Sequence, residues 1–178
     1  MEIAEAQREV RQVYRNGSVG QLVSGALWLA SAAAGTWGSR NAAVAVLIFG
    51  GVFIYPLTQL ALKVAGGPAS LRAENPMRFL AMQVAFTVPL CIPLVLWATR
   101  HEAAWFYPGF MIVVGAHYLP FVFLYGMPAF AALGGLLVAG GWLLGFQPQG
   151  FTAGGWATGA VLLLFGLLAG RLGGSRTA

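Results

Sequence analysis

The 178 residues are 58% hydrophobic and only 8% charged, with a formal net charge of +5, whereas an ordinary soluble domain carries about 25% charged residues. That balance excludes a soluble globular domain and predicts an all-α, polytopic membrane protein, because helices satisfy their own backbone polar groups in lipid. The acids are Glu2, Glu5, Glu9, Glu74 and Glu102, and none lies inside an apolar stretch, so the intramembrane carboxylate on which ion-coupled transport commonly relies is missing.

Residues 1–17 come first. Ile3, Ala6, Val10 and Val13 recur at helical spacing against Glu5, Arg8, Glu9, Arg11 and Gln12, which predicts a short cytoplasmic amphipathic helix ending at Asn16-Gly17. It reads chiefly as a solvated lead-in that sets topology, and secondarily as a helix drawn to anionic lipid or to a partner. Ala30-Ser31-Ala32 has the small-residue form of a signal cleavage site, but the three acids upstream argue against one.

Six apolar stretches follow, at Ser18–Trp37, Asn41–Leu62, Phe79–Ala98, Phe106–Tyr125, Pro128–Phe146 and Gly154–Gly170. Each approaches the ~20 residues that a helix needs to cross the hydrocarbon core. The links are short, so sequence neighbours are expected to be antiparallel neighbours in a single six-transmembrane-helix bundle spanning residues 18–170, with a cytoplasmic tail at 171–178. Arg8, Arg11, Arg15, Lys63, Arg72, Arg78, Arg171 and Arg176 fall on one side of that threading, and Arg40 and Arg100 on the other. The excess of basic residues places both termini in the cytoplasm. It also accounts for the net charge without nucleic acid.

Stretches two to four carry the polar groups. Tyr55, Gln59 and Lys63 recur every four residues, as do Gln83, Thr87 and Cys91, and such a row drifts by only about 40° per step. Tyr107, Tyr118 and Tyr125 fall within about 20° of one another, with His117 about 100° to the side. Mid-helix prolines each remove one N–H and displace a carbonyl four residues earlier: Pro56 acts on Val52, Pro89 on Ala85, Pro93 on Pro89, and Pro120 on Ala116. Gly115-Ala116-His117-Tyr118-Leu119-Pro120 therefore combines a close-approach glycine, a titratable ring and an open acceptor. The expected ligand-binding set is His117, Tyr118, Tyr55, Gln59, Gln83 and Thr87. The competing reading makes His117 a neutral donor to Gln83, Thr87 or Tyr55, a structural hydrogen bond between helices.

Stretches five and six are rich in glycine, with small-residue spacings at Gly141–Gly145, Gly155–Gly159 and Gly166–Gly170. Such spacings let backbones approach closely, either between these two helices or across a homo-oligomer. Cys91 stands alone, and His101 lies at the end of its helix beside Arg100, so no disulfide, metal cluster or haem pair is expected. No catalytic set and no cofactor is predicted.

Phe53-Ile54-Tyr55-Pro56-Leu57 with Lys63, the link Glu74-Asn75-Pro76, and Gly115-Ala116-His117-Tyr118-Leu119-Pro120-Phe121 with Leu124-Tyr125 resemble a family of small, uncharacterised bacterial integral-membrane proteins. The resemblance covers roughly residues 15–145. It implies a six-helix protein of the bacterial inner (plasma) membrane and brings no activity with it. Asn75-Pro76 also reads locally as an N-cap with proline at the first helical position.

Three classes of function follow. The first is small-molecule binding, or passive passage through a cytoplasm-facing polar cavity around His117. The second is a non-catalytic scaffold, sensor or accessory subunit that associates through the glycine-rich helices. An intramembrane enzyme comes third, for want of a nucleophile–base pair or metal ligands. The partners expected are the lipid bilayer, a small solute, and another copy or a membrane protein.

Overall fold

The computed structural model describes residues 1–147 and 150–174, with side chains placed through Arg171. Arg176 and the second half of the expected tail, 175–178, lie outside the described residues, while 171–174 continue the last helix. The described chain is all-helical: α1 (Ile3–Val13), α2 (Ser18–Trp37), α3 (Arg40–Gly51), α4 (Ile54–Val64), α5 (Met77–His101), α6 (Phe106–Tyr125), α7 (Ala129–Phe146) and α8 (Ala153–Gly174). Short 3-10 turns precede α2 (Arg15–Gly17) and α6 (Ala103–Trp105).

Four of these segments are long and apolar enough to cross a membrane: α5, α6 with its preceding turn, α7 and α8. The second expected span is instead two helices, because α3 and α4 meet at an angle of 56°. Pro56 is the physical reason, since it has no N–H to offer the Val52 carbonyl and its ring pushes that carbonyl away. The chain tightens just upstream, where Val52 and Phe53 donate only three residues back, to Phe49 and Gly50 at 3.3 and 2.9 Å. Pro89, Pro93 and Pro120, by contrast, lie inside unbroken helices.

Helix α2 has the length of a span but not the apolar content. Its buried residues include Ser18, Gln21, Ser24 and Ser31, so the polar side of α2 faces protein. This inverts the pattern of a soluble amphipathic helix and suits a bundle whose surroundings are apolar.

Helix α6 forms the middle of the structure, burying Phe106, Tyr107, Phe110, Met111, Val114, Tyr118, Leu124 and Tyr125. Helices α7 and α5 pack along it, while α3 and α8 pack along α2. Close packing of the two glycine-rich helices on each other, the first of the arrangements expected from sequence, is not what the fold shows: each opens its small residues to an earlier helix. A Cβ on Gly134 of α7 would lie 2.6 Å from the Gly115 carbonyl oxygen of α6, and one on Gly159 of α8 would lie 3.1 Å from the Gly25 carbonyl oxygen of α2.

Helix α1 also departs from expectation. Ala6, Val10 and Val13 are buried, and they are covered by the bundle rather than by solvent or lipid. Gln7 Nε2 donates to the Phe123 carbonyl at 2.5 Å, and Arg11 donates to the Tyr125 carbonyl. Asn75 Nδ2 donates to the Ala6 carbonyl at 3.1 Å. The anticipated cap is present too, with Asn75 Oδ1 accepting from the Met77 N–H at 2.9 Å. The fold gathers Arg8, Arg11, Arg15, Lys63, Arg72, Arg78 and Arg171 at the α1 end of the bundle, and Arg40 and Arg100 at the opposite end.

Candidate functional site

The tyrosines of α6 are aimed at α2. At the end away from α1, the Tyr107 hydroxyl meets Ser31 Oγ at 2.6 Å, and Ser31 in turn donates to the Ala43 carbonyl at 2.8 Å. Three turns along α6, the Tyr118 hydroxyl meets the side chains of Ser24 and Gln21. Tyr118 and Gln21 are each only 4% exposed, so these side chains come together in a water-poor interior.

The row continues toward α1 with Tyr125, whose hydroxyl would lie 3.5 Å from a Cβ on Gly17, three residues after Tyr14. Tyr14, just beyond the end of α1, has its phenol raised above the ordinary value by burial, with Tyr55 adding to the shift and Gln59 opposing it. A polar seam thus runs from Gln21 and Ser24 through Tyr118, Tyr125 and Tyr14 to Gln59, between α2, α4 and α6. No acid or base lies within it.

Two atoms of this seam are buried without a hydrogen-bond partner among the described residues: Gln21 Oε1 and Gln59 Nε2. The Gln59 amide approaches Tyr14, yet its nitrogen makes no well-formed bond. His117 Nδ1 is a third such atom. An unmet buried polar group costs about 1–3 kcal/mol, and native proteins keep few of them.

His117 itself turns away from α2. Its ring engages the backbone of Val84 on α5 and lies against Tyr118 and Phe121, with ring centroids 5.5 and 5.0 Å apart. Gly115 explains how α6 is held in this register, because a Cβ there would lie 2.7 Å from the Gly134 carbonyl oxygen.

The six residues singled out from sequence are therefore distributed over three places. Tyr118 and Gln59 lie in the seam. Tyr55 is near Tyr14 but 66% exposed. His117 faces α5, on which Gln83 is exposed and Thr87 half-buried. Among the described residues no hydrogen bond ties His117 to Tyr55, Gln83 or Thr87.

Gln21, Ser24, Tyr14 and Tyr125 were not in the expected set. A signal for part of them was present, since Ser18, Gln21, Ser24 and Ser31 fall at steps of three and seven residues along α2, and the fold buries all four. Two surface cavities lie elsewhere. One of about 470 Å³ separates α1 from the α4–α5 link and is lined by Glu5, Arg8, Glu9, Gln12, Ser70 and Arg72, among others. The second, about 270 Å³, is an apolar hollow between α6, α7 and α8. Among the described residues no group of His, Cys, Asp or Glu side chains is placed to hold a metal ion, and Cys91 is a free, half-buried thiol.

No curated protein and no solved structure matches the chain. A family model does match, over residues 3–171. That span takes in α1, the polar seam and the glycine-packed helices together, and the chain belongs to the family of unknown function DUF7010.

Proposed function

We propose that this is a multi-pass protein of the bacterial inner membrane that binds a small, uncharged polar molecule, or lets it pass, at the polar seam beside His117. The observation that carries the reading is the pair of buried, unpartnered atoms within the seam, Gln21 Oε1 and Gln59 Nε2, two of four such atoms among the described residues. They offer hydrogen-bonding capacity on two facing helices, α2 and α4, in an interior where the helical backbone has none to spare. The seam holds hydroxyls and amides but no ion, so a charged solute would enter without a counter-ion and lose more in desolvation than it gained. In this reading α2 crosses the membrane along with the four apolar spans and the bent α3–α4 pair, giving six crossings with both termini cytoplasmic. The basic residues gathered at the α1 end support that orientation.

A scaffold built on the glycine-rich helices finds less support. The small-residue positions Gly141, Gly155, Gly159 and Gly166 are already filled from within, by Pro108 and Ile112, by Tyr107, by Leu29, and by Leu22.

The test is thermal unfolding of purified protein in detergent against a panel of neutral metabolites, with Gln21→Leu and His117→Gln beside wild type. A compound that raises the wild-type melting temperature, but not that of a folded Gln21→Leu, supports the seam as the site. If neutral compounds leave wild type unmoved while Gln21→Leu melts higher than wild type, the glutamine is a structural liability and the binding reading fails.

A further inference from the structure

Helix α1 and the turn behind it touch the ends of four helices. Gln7 and Arg11 hold the last carbonyls of α6, at Phe123 and Tyr125. Arg15 Nη2 donates to the Ala65 carbonyl at the end of α4 (2.7 Å), and Asn16 Nδ2 to the Ala169 carbonyl of α8 (3.2 Å). Asn75, which caps α5, reaches the Ala6 carbonyl. The Tyr125 and Ala65 carbonyls lie at a helix end or just beyond it, where intrahelical donors run out, so part of the binding of α1 is to groups that any opening would expose to water.

A second set of contacts clamps α1 from outside. Arg72, on the α4–α5 link, gives its backbone N–H to Glu9 at 2.6 Å, its Nε to Glu9 at 2.9 Å, and its Nη2 to Glu5 at 3.3 Å. The Arg72 side chain is 58% exposed and that of Glu9 12%, so the arginine can be removed from the water side while the Asn75 bond to Glu9 stays in place. The link to α2 is built unlike a rigid connection. Arg15, Asn16 and Gly17 have φ of 48°, 57° and 80° in succession, a left-handed run that side-chain-bearing residues rarely adopt and that the surrounding bonds must hold.

Beneath α1 lies the polar seam, whose outermost members Tyr14 and Gln59 sit where α1 ends. We infer that α1 is a plug: it closes the α1 end of the seam, and its release from the helix ends, about the Arg15–Gly17 hinge, opens the seam to the aqueous phase. The inference rests on the seam being a site for solute, but its test does not use a solute.

A Cys91→Ala background carrying Ser24→Cys reports water access to the seam through its rate of reaction with a charged, membrane-impermeant methanethiosulfonate. Ser31→Cys, buried at the other end of α2, reports general loosening. With Arg72→Ala added, labelling at position 24 is expected to rise about tenfold as the open population grows, while position 31 and the melting temperature stay near those of the parent. Equal rates at position 24 in parent and a folded Arg72→Ala overturn the plug, as does a rise of the same size at both positions. Should Arg72→Ala not fold, the parent reporter alone decides: salt that screens the exposed clamp must speed labelling at position 24, and an unchanged rate from low to high salt refutes the inference. If labelling responds but no solute stabilises the protein, the plug stands without the proposed binding function; if a solute binds and labelling does not respond, the reverse holds.

Discussion

Adjacent glycines on α7 should respond in opposite ways to the same substitution. In Gly134→Ala the new methyl would sit 2.6 Å from the Gly115 carbonyl oxygen and 3.2 Å from Leu119 Cδ2, where ordinary contact begins at 3.4 Å. The first neighbour is backbone and cannot rotate aside, so α6 and α7 must part by roughly 0.8 Å, an overpacking that costs about 1–3 kcal/mol. In Gly135→Ala nothing lies within 4 Å of the new methyl, and alanine in a helix interior is favoured over glycine by about 0.8–1 kcal/mol. For a chain of this length 1 kcal/mol corresponds to roughly 2–4 °C. Gly134→Ala is therefore expected to melt ~2–12 °C below wild type, and Gly135→Ala level with it or up to ~4 °C above. The intrinsic fluorescence of the six tryptophans, followed through thermal unfolding in one detergent, measures both. If the two variants melt together, or Gly134→Ala melts with wild type, the close crossing of α6 and α7 is wrong.

Two further outcomes follow from the contacts of α1. Asn75→Ala removes the cap on Met77 together with the bonds to Ala6 and Glu9 and should cost about 1–2 kcal/mol; Asn75→Asp keeps the cap but sets a charge against Glu9, so it should not restore stability, and recovery to wild-type melting in the aspartate variant would show that the cap alone mattered. Burial pushes the Glu9 carboxyl up, but hydrogen bonds from the Arg72 backbone and side chain and from Asn75, with the Arg72 charge, outweigh this and hold it below its ordinary value of 4.5. Glu9 thus stabilises the docked α1 above the ordinary carboxylate pKa, and this is lost as pH falls through the lowered value. Glu5, Arg8 and Arg72 share its surroundings, so the comparison is wild type against Glu9→Gln: amide exchange in α1 should accelerate in acid for wild type and be fast, with little further pH response, in Glu9→Gln, whereas parallel profiles would remove Glu9 from the latch.

Much of this architecture was legible in the chain because lipid imposes few solutions. The positions of α5 to α8 followed from apolar length, the tyrosine row of α6 from helical geometry, and the Asn75 cap from a dipeptide. What the sequence did not disclose was how the elements meet. Pro56 announced a freed carbonyl, but an angle of 56° at the α3–α4 junction depends on what the neighbouring helices allow, as the unbroken α5 and α6 around their own prolines make plain. The site shifted for the same reason. His117 was conspicuous by its chemistry, while Gln21 and Ser24 looked like ordinary interruptions of an apolar run; only with α2 set against α6 do they reach Tyr118. The glycine spacings fit packing of these two helices together or of two copies, but pairing is a property of two surfaces, and the matching surfaces are on α2 and α6.

The bond from Asn16 to the Ala169 carbonyl joins residues 153 positions apart, and this sets an order of events during synthesis. A chain emerging from its N-terminus makes α1 first, yet the carbonyls that hold α1 and its turn come from α6 and α8 as well as from the end of α4. Helix α1, translated before α2 to α8, consequently has no complete berth until α8 has been made, and its docking follows the formation of those helices rather than preceding it.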